Sequence, residues 1–321
     1  MERRQFLQAT PLVIGSAAKV LADTPMPMTT LGKSGLKVSR FCLGGYHMAV
    51  EGEANAIKTI HRAMELGVNF FDSAAKYHNG GSDEIYGKAL EGGRRQKVLL
   101  MSKAEKRDKK SAMEQLENTL RRMKTDYLDL WQCHEVVTHA EVDKIFGPGG
   151  SLEAFVQAKK EGKVRHIGFT GHADPEVHLR LLKGYDGWET VQHPVNLIDP
   201  HYLSFIQNVL PAVGKAGLGR IAMKSNGIGE ITKNKIATIE ECLRFAWSQD
   251  IDTLVSGAQN VPQLEQNILV LKTLKKMSQT EISILLDRTK QGPTGSKIER
   301  YKRPEKAAMH AYPAHRDGEP V

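Results

Sequence analysis

VNFFDSA (68–74), KVLLMSK (97–103) and YLDLWQCHE (127–135) are three successive apolar runs, and each turns polar at its C-terminal end. Their β-branched and aromatic content is that of buried strands. The polar ends are Asp72, Lys103 and His134, and Tyr77 follows Asp72 by five residues. In an eight-fold β/α barrel the C-terminal strand ends face one way and carry the active site. The pattern therefore predicts a carboxylate, a phenol, an ammonium and an imidazole in one volume, a set suited to proton transfer.

Further strand-like starts extend the pattern to residues 40, 69, 98, 127, 164, 190, 219 and 252, at intervals of 29, 29, 29, 37, 26, 29 and 33 residues. Between them EANAIKTIHRAMEL, KSAMEQLENTLRRMK, SLEAFVQAKKEG and TIEECLRFAWSQ place apolar residues at helical spacing. Gly67, Gly92, Gly162 and Gly217 stand where left-handed C-caps end helices before the next strand. Eight such units predict an α/β fold, a single-domain (β/α)8 TIM barrel over residues 28–290. An open doubly wound sheet would carry a glycine-rich first turn, and FCLGGYHMAVEGEA lacks G-x-G-x-x-G. The longest interval holds VVTHAEVDKIFGPGG (136–150), expected to be a pocket wall or lid. Residues 291–321 lose periodicity and read as a polar tail, mobile or folded over the barrel mouth.

The chain has 321 residues, 40% of them hydrophobic, enough for a full-sized core. Its net charge of +8 is scattered over many helices rather than clustered with aromatics, which argues against a nucleic-acid partner. Cys42, Cys133 and Cys242 are widely spaced in apolar runs and read as buried free thiols, so no metal or cluster is expected. His47, His78, His172 and His193 fall near strand ends, but their spacing matches no helical ligand pair, and they read as pocket lining or surface. Tyr46 and Trp131 are divided between pocket and packing.

MERRQFLQATPLVIGSAAKVLADTP (1–25) sets Arg3–Arg4 before Phe6–Leu7 and a short apolar stretch, with small residues suited to cleavage after Ala22. Residues 1–22 thus resemble a twin-arginine signal, implying the Tat machinery as partner and a periplasmic or exported location. A basic N-terminus on a cytoplasmic enzyme is the alternative. No segment reaches the length of a membrane span.

A phenol normally titrates near 10. An ammonium at ~4 Å contributes about 4 kcal/mol at an effective dielectric of ~20, or roughly three pKa units before burial opposes it. Lys103, neutralised by Asp72, would make Tyr77 a useful general acid, with His134 orienting a carbonyl oxygen.

At these residues the chain resembles the aldo-keto reductases. LGKSGLKVSRFCLGG is similar to the family's opening segment, FFDSAAKYHNGGSDEIYGKAL to its second-strand catalytic segment, and MSKAE and LWQCHEV to the regions of its catalytic Lys and His. The resemblance runs from about Met28 to about Leu271. It implies a nicotinamide dinucleotide, NAD(P)H, bound extended without a Rossmann motif. It also implies hydride transfer to a small-molecule carbonyl or from an alcohol, with Asp72, Tyr77, Lys103 and His134 as the catalytic set. Gln192 matches the carboxamide contact. Thr170 replaces a Ser hydroxyl, while Gly171 cannot replace the Asn amide that usually follows. Met223 stands where an aromatic often stacks on nicotinamide, and Lys224 is open between pyrophosphate, substrate and solvent. Gly257 and Ala258 match the phosphate cradle and Asn267 the adenine contact. Gln259 and Gln263 stand where NADP-preferring members carry Arg or Lys, which points to NAD or dual use.

Two other functions compete with a carbonyl–alcohol oxidoreductase. One is a Schiff-base aldolase using Lys103 as nucleophile. The other is a nucleotide-sensing subunit with little turnover.

Overall fold

A strand that is apolar on both faces needs cover on both, and a ring of parallel strands wrapped in helices supplies it. The computed structural model of the chain describes residues 11–291 and 295–302 and has this architecture. Strands β1 (Met28–Thr30) and β2 (Lys37–Ser39) form an antiparallel hairpin. They are followed by β3 (Phe41–Gly44), β4 (Phe70–Asp72), β5 (Leu99–Ala104), β6 (Leu128–Cys133), β7 (Val164–Thr170), β8 (Thr190–Pro194), β9 (Gly219–Met223) and β10 (Thr253–Gly257). These eight pair in parallel in chain order, and β10 closes on β3. All eight start within two residues of the positions read from sequence.

The four expected helices form at Glu53–Glu65, Lys109–Met123, Ser151–Lys160 and Ile239–Ser248. Gly67, Gly92, Gly162 and Gly217 take φ of 90°, 68°, 74° and 68°, the left-handed conformation that ends a helix cleanly. Trp131 is packing, not pocket. It is buried on the outer face of β6 and stacks on Phe155 at a centroid distance of 3.9 Å.

The β1–β2 hairpin, which periodicity did not predict, stoppers the bottom of the barrel. Its Leu31 and Val38 pack with Cys42, Phe70, Met101, Leu130 and Ile221 inside the ring. Lys33 N donates to the Gly217 carbonyl at 2.7 Å. One end of the barrel is therefore shut, and the site lies at the other.

Segment 136–150, expected to be a pocket wall or lid, holds a packed helix. Thr138 and Glu141 form a capping box on the helix His139–Phe146, and Val142 and Ile145, three residues apart, bury its inner face. The tail is ordered through Gly295–Lys302, where Ile298, Tyr301 and Lys302 are buried. Residues 303–321 lie outside the described residues. At the other end, Arg3–Arg4 also lie outside them, but the helix Pro11–Asp23 leads onto the barrel. There Leu21 is buried and its carbonyl accepts from Lys272 Nζ at 2.6 Å. No described helix is long and apolar enough to cross a membrane.

Candidate active site

Asp72 ends β4, Lys103 lies one residue from the end of β5, and His134 follows β6 directly. Neighbouring parallel strands in register carry these side chains to the open end. Lys103 and Asp72 form a fully buried ion pair, and Lys103 Nζ also donates to the Ser73 carbonyl at 2.7 Å. Burial pushes the Asp72 carboxyl up from its ordinary range, against the pull of Lys103. The ammonium stands 5.0 Å from the centroid of the Tyr77 ring.

Tyr77 reaches that position because the turn after it is left-handed. His78, Asn79 and Gly80 have φ of 51°, 54° and 96°, and Asn and Gly adopt this region at little cost. The Tyr77 ring meets Tyr46 edge-on at 5.2 Å and His134 edge-on at 5.7 Å. Burial, followed by the Lys76 and Lys103 ammonium groups, holds the His134 imidazole well below its ordinary range, so it is neutral. Its backbone N–H donates to the Ala104 carbonyl at 2.8 Å, and its Nδ1 is buried with no hydrogen-bond partner. All four predicted side chains thus share one volume. Lys103 is held by Asp72 and the Ser73 carbonyl rather than standing free, which does not favour the aldolase reading.

A second polar group adjoins this one, and the sequence reading did not find it as a group. Glu135 follows His134 with φ of 53°, a turn that no motif signals. Its carboxylate pairs with Lys76 and accepts from His172 Nε2 at 3.1 Å. Arg107 fixes the turn, donating to the carbonyls of His134 at 2.8 Å and Glu135 at 3.2 Å while pairing with Glu141. Tyr301, from the C-terminal segment, lies edge-on to His172 at 5.1 Å, and the Lys224 ammonium lies over the Tyr301 ring at 4.9 Å. Of the other histidines near strand ends, His193 is buried, His78 exposed and His47 half-buried. His193 stacks on Phe205, His78 bonds the Tyr46 carbonyl, and His47 crowds Gly257.

The residues matched to a nicotinamide dinucleotide fall into two groups. Thr170 and Met223 end β7 and β9, Lys224 follows β9, and Gln192 lies two residues before the end of β8. Gln132 Nε2 donates to Gln192 Oε1 at 2.8 Å, which fixes that amide, while among the described residues Gln192 Nε2 meets the Met223 sulfur at 3.6 Å. An amide N–H held beside a thioether fits the carboxamide and ring of nicotinamide. Gly171 is explained by space: a Cβ there would stand 2.5 Å from the Val136 carbonyl, so no Asn fits. Gly257, Ala258, Gln259, Gln263 and Asn267 form the second group, where β10 runs into the helix Val261–Lys272. A Cβ on Gly257 would meet His47 Nδ1 at 2.4 Å, so the His47 ring packs directly on this glycine. Gln259 N donates to Gln263 Oε1 at 2.9 Å, and Asn267 Nδ2 donates to the Gly257 carbonyl at 3.3 Å. These side chains are therefore already committed to shaping the loop.

The aldo/keto reductase family model matches residues 40–235, and the chain belongs to that family. It is an NAD(P)-dependent oxidoreductase acting between carbonyl and alcohol. It is 25% identical to the uncharacterized oxidoreductase YqkF of Bacillus subtilis, over 81% of this chain and 96% of that one. It is 29% identical to the L-galactose dehydrogenase of Arabidopsis thaliana, over 79% and 91%. In structure it is similar to an aldo-keto reductase of Bacillus halodurans in its holo form. The TM-score is 0.71 at 22% sequence identity, covering 85% of this chain and 99% of that one.

Proposed function

We propose that the chain reduces the carbonyl of a small hydroxylated aldehyde or ketone, or runs the reverse reaction, with Tyr77 carrying the proton. The observation that supports this most is the Lys103 ammonium, locked between Asp72 and the Ser73 carbonyl, with the Tyr77 ring at 5.0 Å and a neutral His134 beside it. When bound, the reduced dinucleotide supplies hydride to the carbonyl carbon. Tyr77 gives its proton to the developing alkoxide, and Lys103 stabilises the resulting phenolate electrostatically. His134, being neutral, orients the carbonyl oxygen by hydrogen bonding rather than by charge. Asp72 gives the buried Lys103 its ion-pair partner and holds it in place. A hydroxylated substrate is supported by the polar mouth and by a relative whose name specifies L-galactose.

Gln192, Thr170 and Met223 would hold the nicotinamide half, and residues 257–267 the phosphates and adenosine. Residues 255–268 contain no Lys or Arg, which favours NAD over NADP. Consumption of reduced nicotinamide by purified protein over an aldehyde panel tests the reading. Turnover should fall by about 10²–10⁴-fold in Tyr77→Phe. A variant that keeps full rate would remove Tyr77 from the mechanism, whereas wild-type protein without turnover would favour the nucleotide-sensor reading.

The Arg-Arg-x-Phe-Leu start supports export of the folded, cofactor-loaded enzyme by the twin-arginine route. Cleavage after Ala22 then requires the buried Leu21 turn to leave the barrel. N-terminal sequencing of periplasmic protein tests this, and a start at Met1 with cytoplasmic recovery would refute it.

A further inference from the structure

We infer that His172, Lys224 and Tyr301 form a subsite for a hydroxyl group of the substrate, remote from the reacting carbonyl, so that the preferred substrates are polyhydroxylated. The inference deepens the carbonyl-reductase reading and rests on it. It begins with a tautomer. The His172 ring is buried and its Nε2 lies 3.1 Å from a Glu135 oxygen. Burial, then the Lys224 ammonium, pushes the imidazole below its ordinary range against the pull of Glu135. A neutral imidazole facing a carboxylate places its one proton on Nε2. Nδ1 is then a lone-pair acceptor, and it has no hydrogen-bond partner among the described residues. A buried acceptor left unpaired costs about 1–3 kcal/mol, and a donor from a ligand recovers that cost.

The neighbours set which donor fits. Lys224 stands at φ 56° after β9. No carboxylate of the described residues forms an ion pair with it, and its amine is pushed down to about 8 by burial. At neutral pH it remains a donor. Tyr301, anchored through Lys302, presents its ring between Lys224 and His172. An acceptor, a donor and an aromatic face together match a hydroxyl-bearing carbon chain: the O–H donates to His172 Nδ1, the oxygen accepts from Lys224, and the C–H groups lie on Tyr301. A carboxylate satisfies Lys224 but repels the His172 lone pair, and an alkyl chain satisfies neither. Glu135 follows His134 in sequence, so this subsite adjoins the reaction centre.

Three four-carbon aldehydes separate the possibilities. D-erythrose carries hydroxyls, succinic semialdehyde a carboxylate, and butanal neither. The subsite predicts kcat/KM for erythrose at least about tenfold above both others, with the advantage over butanal lost in His172→Leu. His172→Gln should restore part of it, because an amide can donate to Glu135 while its oxygen accepts the hydroxyl. Isothermal titration of D-glucitol against protein with reduced cofactor tests the subsite without turnover, because an alcohol cannot accept hydride. Wild-type protein should bind glucitol at least about tenfold more tightly than His172→Leu, with His172→Gln intermediate and melting temperatures confirming that both variants fold. Equal rates for erythrose and butanal, a lead for succinic semialdehyde, or glucitol affinity unchanged in His172→Leu would each overturn the inference. Inert aldehydes with His172-dependent glucitol binding would instead leave the subsite standing and refute the carbonyl-reductase reading.

Discussion

At the scale of single residues, the site depends on side chains that hold other side chains. Arg107 touches none of the four catalytic candidates through their side chains, yet it fixes the carbonyls of His134 and Glu135. Arg107→Met should lower kcat about tenfold or more with a smaller effect on KM, since a misplaced imidazole costs more in the transition state than in binding. Steady-state kinetics with Arg107→Lys as a partial rescue checks this. Gly171 is constrained in another way. Gly171→Ala should destabilise by about 1–3 kcal/mol, because its Cβ would press on the Val136 carbonyl. Urea denaturation measures it. Asp72, Tyr77, Lys103 and His134 are legible in the chain because each ends or follows an apolar run. Glu135 and His172 are not legible as a pair. Their meeting needs the positive φ of Glu135 and a contact between the ends of different strands, and neither leaves a local pattern.

Among the elements, the C-terminal segment shows how a polar stretch becomes ordered. Lys302 is fully buried between Asp199 at 2.7 Å and Glu299 at 2.8 Å, and Asp199 also accepts the backbone N–H groups of Phe205 and Ile206. Asn196 donates to Glu299 at 2.8 Å and to the Tyr301 hydroxyl at 3.1 Å. Removing one partner leaves carboxylates buried without their cation, a cost of about 3–5 kcal/mol. Lys302→Met should therefore release the segment, take Tyr301 from the mouth and raise KM for hydroxylated substrates. Faster proteolysis in the segment 295–302 is the check, and an unchanged cleavage pattern would show that the apolar contacts of Ile298 suffice. Composition misleads for this tail because its charges are met by partners about a hundred residues away. The helix His139–Phe146 was hidden for a related reason: eight residues give too few turns for periodicity to stand out. The longer barrel helices and the eight strands are legible because their spacing repeats.

For the molecule as a whole, the buried histidines couple stability to acidity. Burial holds His134, His172, His178 and His193 below their ordinary range, with His178 pushed down to about 3. Each binds its proton more readily in the unfolded chain, so protonation favours unfolding. The stability is fully present above about pH 6.5, the unfolded value, and is lost as pH falls toward the folded values. The slope is about 1.4 kcal/mol per pH unit for each histidine while it remains neutral in the folded state. Melting temperature should therefore drop steeply between pH 7 and pH 5, and His178→Phe should flatten that slope; an unaltered slope would assign the acid sensitivity to other groups.

The hairpin at the foot of the barrel bears on how the chain is made. Leu31 and Lys33 lie near the amino terminus, but they seat on residues 217–219. A ribosome emits the plug long before its socket. During most of synthesis those apolar residues must wait, exposed or held by a chaperone, and the ring can be sealed only when the seventh of its eight staves has emerged. Such a protein shuts the foot of its barrel only after residue 219 of its 321 has been made.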